Sequence, residues 1–277
     1  MFRRVLMTKA KGKSSPNPWW KTRELRRGSR LVLELGPMKV EIGHGDGEWL
    51  LWSKTGVEDE GRGHSRIAVR RGLPEEVHER FVHDGPDRQV TLAPVLGDRA
   101  VVARPRQPVY LLSRQEVTFY LSTPIWLKIL VGSSQMTLRE LASVRLSDTW
   151  FGPSTRVGEL CYANRTHARR NLAEIQLRPH RAITPLRIRN NAQEALPLEK
   201  ISLPVPMLPL FGAEDGSLWT QRATLVRDEV SDLASVRIEA SKDNVDPYGR
   251  PLTRIAAPRH DNPLAVVRAF STFFHGF

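Results

Sequence analysis

Ile125-Trp-Leu-Lys-Ile-Leu-Val131 sets Ile125, Leu127, Ile129 and Val131 on one face of an extended chain and Trp126, Lys128 and Leu130 on the other. That period of two defines a strand with one wholly apolar side. The run just before it, Val117-Thr-Phe-Tyr-Leu121, is built from the β-branched and aromatic side chains that fit a pleated surface. The two runs are the strongest strand signals in the chain, and the rest of the chain repeats their style.

Working towards the N-terminus, similar short runs fall at 31–35, 39–42, 48–52, 66–70, 90–95, 100–103 and 109–112. Towards the C-terminus they fall at 159–162, 172–177, 185–189, 198–203, 220–226 and 235–239. Turn chemistry separates them: Gly43-His-Gly-Asp-Gly47 reads as a hairpin turn, and Asn190-Asn191 and Asp215-Gly216 supply further reversals. Strands without βαβ alternation predict an all-β fold of antiparallel β-sandwich architecture. We read two β-rich halves, 31–150 and 151–260, after a basic arm at 1–30 and before a C-terminal segment at 261–277. A chain of 277 residues buries roughly three quarters of its unfolded surface, so the core needs no staple.

Helical patterns are few. Pro74-Glu75-Glu76 suits either a short helical turn towards Phe81 or a strand. The segment 261–277 reads as an amphipathic helix, with Asn262 as N-cap and Pro263 in the first helical position. Leu264, Val266, Val267, Phe270, Phe273, Phe274 and Phe277 would share one side, and Arg268, Thr272 and His275 the other. So short a helix must bury its aromatic face, on the protein's own sheet, on a partner or at a membrane surface.

The net charge of +12 is unevenly placed. Residues 1–30 carry ten basic side chains and one acid, Glu24, whereas the remainder carries 32 basic and 29 acidic groups. A basic arm on a near-neutral body points to an interaction segment rather than a nucleic-acid-binding surface over the whole fold. Gly12, Ser14, Ser15, Pro16 and Pro18 predict that the arm is flexible when alone. Its candidate binding residues are Arg3, Arg4, Lys9, Lys11, Lys13, Trp19, Trp20 and Lys21. Adjacent indoles among lysines suit a headgroup-depth anchor at an anionic membrane, base stacking on single-stranded nucleic acid, or folding back over a sheet. A second basic group, Arg165, His167, Arg169 and Arg170, lies near Arg178, His180 and Arg181. On a strand 165, 167 and 169 share a face, which suits an acidic partner or the protection of an exposed edge.

Motifs with chemistry are absent. The histidines make no zinc helix, the glycines at 43–47 lack the Lys and Ser/Thr of a phosphate loop, and there is no nucleophile elbow. Glu58-Asp59-Glu60 reads as a solvated loop or a hard-cation ligand without EF-hand spacing. The single Cys161 excludes an internal disulfide and reads as a small buried hydrophobe or a reactive thiol. Catalytic residues stay unassigned, and no cofactor or metal is expected. Nothing reads as a secretory h-region, and the most apolar stretch, 125–131, is too short to span a bilayer. A cytoplasmic location is expected, with peripheral attachment at the inner face of the membrane as a further option.

Trp150-Phe151-Gly152-Pro153, Gly158-Glu-Leu-Cys-Tyr162, Ile183-Thr-Pro-Leu-Arg-Ile-Arg-Asn190 and Leu203-Pro-Val-Pro206 resemble segments of an uncharacterised prokaryotic family catalogued as domain of unknown function 432. That resemblance implies no activity, cofactor or catalytic residue. It implies an accessory role beside small-conductance mechanosensitive channels. The leading expectation is a non-catalytic binding protein that meets a membrane-associated partner through its arm. Nucleic-acid binding by the same arm, and an enzyme or sugar-binding sandwich with a loop-built site, are the alternatives.

Overall fold

The computed structural model describes residues 18–57, 63–83, 85–105, 107–154, 156–228, 233–239, 244–260 and 266–270. A two-residue strand, β1 (Arg23–Glu24), precedes β2 (Ser29–Leu35), β3 (Met38–His44), β4 (Glu48–Thr55), β5 (Ser65–Arg71) and β6 (Glu79–Val82). Then come β7 (Gln89–Val95), β8 (Val101–Pro105), β9 (Val109–Leu111), β10 (Glu116–Pro124), β11 (Trp126–Val131) and β12 (Met136–Ala142). A long hairpin, β13 (Ser147–Ser154) and β14 (Val157–Ala168), leads to β15 (Arg181–Asn190), β16 (Leu196–Leu198) and β17 (Ile201–Leu203). The last strands are β18 (Leu210–Ala213), β19 (Leu218–Thr220), β20 (Ala223–Arg227), β21 (Leu233–Ile238), β22 (Leu252–Ala256) and β23 (Val266–Arg268). The all-β expectation holds.

Alternation decides which face of each strand turns inward. Leu31, Leu33 and Leu35 of β2 and Met38, Val40 and Ile42 of β3 are buried, while the residues between them are partly exposed. Gly36, at a φ of +56°, closes the β2–β3 hairpin, and Gly47, at +67°, closes β3–β4 within the predicted glycine turn. These strands form a five-stranded antiparallel sheet in the order β5-β2-β3-β4-β6. The decisive run 125–131 becomes β11, the third strand of a second sheet ordered β1-β7-β11-β12.

Strands from both sides of residue 150 share sheets. β10 pairs with β15 from Glu116 opposite Arg189 to Pro124 opposite Arg181. β8 lies between β14, its parallel neighbour, and β17. One buried cluster accordingly gathers Trp19 and Leu25, the strands of the middle of the chain and Phe270.

Two predicted elements are corrected. Within the expected C-terminal helix, Val266–Arg268 is β23, paired antiparallel with β21. Beyond it Ala269 and Phe270 are buried, Ser202 N–H donates to the Ala269 carbonyl at 2.9 Å, and Phe270 bridges to Ile201. Two adjacent valines fit a strand at least as well as a helix, and the edge of β21 offers backbone partners that an isolated short helix lacks. Residues 261–265 and 271–277, the rest of that segment, lie outside the described residues. The predicted strand at 172–177 opens instead as a 3-10 turn over Leu172–Glu174, because the Asn171 side chain accepts from Ala173 N–H at 3.0 Å. No helical turn forms at Pro74, and Phe81 lies on β6.

Candidate functional site

The site grows from the turn that ends the basic segment. Lys21 N–H donates to the Pro18 carbonyl at 3.3 Å, and the Arg23 guanidinium donates to the carbonyls of Trp19 (2.9 Å) and Lys21 (2.6 Å), which locks the turn. Trp19 and Trp20 meet edge to face at 5.5 Å. Trp19 is only 4% exposed and belongs to the central core, whereas Trp20 is half-buried and Lys21 is exposed. Gly212 is bare where Trp20 lies, since a Cβ there would come within 2.8 Å of the indole. A Thr22–Thr91 hydroxyl contact of 2.8 Å and the pairing of β1 with β7 carry the chain onward into the sheet. Residues 18–30, grouped with the arm on composition, are therefore part of the body.

The two indoles wall a groove of about 430 Å³. Its other walls are Ser65, Arg66 and Ile67 of β5, the loop Leu177-Arg178-Pro179, and Asp215-Gly216-Ser217 between β18 and β19. Asp215 accepts from the Ser217 backbone N–H (2.9 Å), from Ser217 Oγ (2.5 Å) and from Arg250. Burial alone would raise its pKa, but those bonds and the Arg250 charge hold the carboxyl below its usual range. Arg250 in turn donates from Nε at 2.5 Å to Asp246, whose carboxylate is fully buried and also accepts two backbone N–H groups at 2.9 Å. The acid of the groove is thus neutralised from within, while Arg66 at its mouth makes no ion pair among the described residues. The groove presents an aromatic wall and a cationic rim.

Of the second basic group, the side chains of Arg169 and Arg170 are described. Arg165 and His167 lie at the end of β14, beyond its pairing with β13, which stops at Ala163; that end pairs with β8 at Thr166, His167 and Ala168, and the side chains of Arg165 and His167 lie outside the described residues. The β14–β8 register shifts between Ala163 and Thr166. Arg169 is held in the fold: its backbone exchanges hydrogen bonds with Tyr120, and its guanidinium donates to the Glu174 carbonyl at 2.7 Å. Arg170 is exposed. Arg181 is buried and donates to Ser122 Oγ at 3.0 Å. The buried ring of His180 fills the space beside Gly36 and Gly63, where an added Cβ would come within 2.6 Å of its atoms. Arg3, Arg4, Lys9, Lys11 and Lys13 lie outside the described residues.

Cys161 is fully buried, 4.0 Å from Ser202 Oγ, and burial together with the Glu159 charge pushes its thiol up to about 12. Thiolate is the reactive species, so Cys161 is expected to stay inert to a disulfide reagent at about pH 8 and to react stoichiometrically once urea unfolds the protein. Native-state labelling faster than global unfolding would contradict that burial. Among the described residues no three His, Cys, Asp or Glu side chains come together as metal ligands, and no helix is long and apolar enough to cross a membrane.

Sequence reading missed the groove because its walls come from four distant segments. The one local signal was 65–71, a strand with three arginines and no acid. What the geometry defines is a multi-sheet, mainly antiparallel β-protein with one large buried cluster shared across its sheets and an open groove at the base of its basic segment. The chain belongs to the family described as protein of unknown function DUF432, whose model matches residues 19–274. The match begins at Trp19, the first buried side chain. No curated protein and no solved structure matches the chain.

Proposed function

We propose that this is a non-catalytic binding protein, an accessory partner of a membrane-associated protein that it meets through the basic segment 1–17. A mechanosensitive channel is the partner that the family resemblance points to. The observation that supports this reading is the junction at Trp19: five basic residues and no acid precede it, and a groove with a cationic rim opens beside it. Near an anionic leaflet each Lys or Arg contributes about 1 kcal/mol. Five such residues suffice for reversible recruitment but not for permanent anchoring. Burial of Trp19 removes one of the two indoles from any base-stacking role.

Deleting residues 1–30 would strip Trp19, Leu25 and the start of β2 from the body, so the test neutralises charge in the full chain. The variant Arg3→Gln, Arg4→Gln, Lys9→Gln, Lys11→Gln and Lys13→Gln is compared with the native protein as bait on gently solubilised membranes. The native chain is expected to retain an integral membrane protein and the variant to lose at least about tenfold of it, with an unchanged melting temperature. Equal retention by both would remove the arm from the interface. Retention of single-stranded nucleic acid instead, falling steeply with salt, would select the nucleic-acid reading.

A further inference from the structure

β5 is the outermost strand of its sheet and pairs with β2 along its whole length, Ser29 opposite Arg71 and Leu35 opposite Ser65. Gly72 N–H donates to the Gly28 carbonyl at 2.9 Å, and the His64 carbonyl accepts from Gly36 N–H at 2.8 Å. Even-numbered residues thus turn their backbone groups towards β2. By alternation, Ser65, Ile67 and Val69 turn theirs to the open side. Among the described residues nothing hydrogen-bonds to the outward backbone groups of those three; at the end of the strand the Arg71 carbonyl accepts from the Arg30 guanidinium at 3.1 Å. The strand carries no proline, and its register against β2 is continuous.

The sheet also stops short of covering its own core there. Ile67 and Val69 sit opposite the buried Leu33 and Leu31, yet Ile67 is only partly buried and Val69 is 50% exposed. One more strand would cover this ledge, and its end would enter the groove that Ser65, Arg66 and Ile67 help to wall. Charge decides what that strand is. Arg66, Arg70 and Arg71 are exposed and make no ion pair among the described residues, and no acid lies on β5. A second copy added antiparallel would face arginine with arginine, and the basic segment 1–17 is repelled by the same charges.

We infer that β5 is a docking edge to which a partner protein adds an extended segment of alternating apolar and acidic residues. The inference deepens the reading of the protein as a binding protein but does not use the arm, so a failure here leaves the arm experiment standing, and the reverse.

The probe is a labelled, capped peptide alternating glutamate and valine over about eight residues, enough to span a strand. It is titrated against the full chain beside its lysine–valine counterpart. Saturable binding of the acidic peptide is expected, with slowed amide exchange confined to the outward amides of Ser65, Ile67 and Val69. Val69→Pro removes an outward N–H without breaking a bond to β2 and is expected to weaken binding about tenfold, near the net worth of one hydrogen bond. Should that variant unfold, Arg66→Glu with Arg70→Glu and Arg71→Glu keeps the backbone and is expected to reverse the preference between the two peptides. No binding at millimolar peptide, equal affinity for both peptides, or a folded Val69→Pro that binds like the native chain would each overturn the inference. So would protection of the three amides before peptide is added, which would show the edge already covered by the chain itself or a second copy.

Discussion

Replacing Asn190 with leucine is expected to lower the unfolding free energy by about 3 kcal/mol, a large loss for one polar side chain. Asn190 is fully buried at the end of β15, and its Nδ2 lies within hydrogen-bond distance of the carbonyls of Leu111 (3.0 Å), Leu112 (3.2 Å) and Glu194 (2.8 Å). Its Oδ1 accepts from the buried Arg227 at 3.4 Å. Leucine fits the volume but leaves carbonyls and a guanidinium short of partners, and each such group costs roughly 1–3 kcal/mol. The neighbouring Asn191, exposed and with its side chain bonded at the surface to Asp228, should tolerate alanine within about 0.5 kcal/mol. Urea unfolding of both variants separates the cases, and equal, small losses would show that the Asn190 clasp contributes little.

Trp19→Ala is the second change with a large expected effect, a loss of about 3 kcal/mol or more. The indole is 4% exposed and sits in the cluster that joins the sheets, so alanine leaves a cavity that the turn at Pro18 cannot close alone. Trp20→Ala, which removes a half-buried ring from the groove wall, should cost less and act mainly on whatever the groove holds. If Trp19→Ala unfolds at the native urea concentration, the Trp19 side chain adds nothing to the stability of the core.

How far these features could be read in advance depended on how local their causes are. The face of β11 followed from alternation alone, and the glycine turn between β3 and β4 from residues that tolerate positive φ. Asn190 was legible as a turn former but not as a clasp, because its carbonyl partners at Leu111 and Leu112 are nearly eighty residues away in the chain. Trp19 was placed with the arm because a count of charges cannot show where an indole packs. Val266-Val-Arg268 satisfied a helical period and a strand period at once, and only the edge of β21, absent from any local window, decides between them. Arg66 and Asp215 line the same groove only through folding and share no spacing in sequence.

Trp19 and Phe270 belong to one cluster, and that has a consequence for biosynthesis. The five-stranded β2–β6 sheet can pair as soon as it leaves the ribosome, but the cluster that its apolar face joins is not complete until almost the last residues emerge. At ordinary elongation rates the nascent chain therefore spends tens of seconds with strand surfaces bare. A product terminated even a few residues before Phe270 would lack that side chain's part of the shared cluster and its bridge to Ile201.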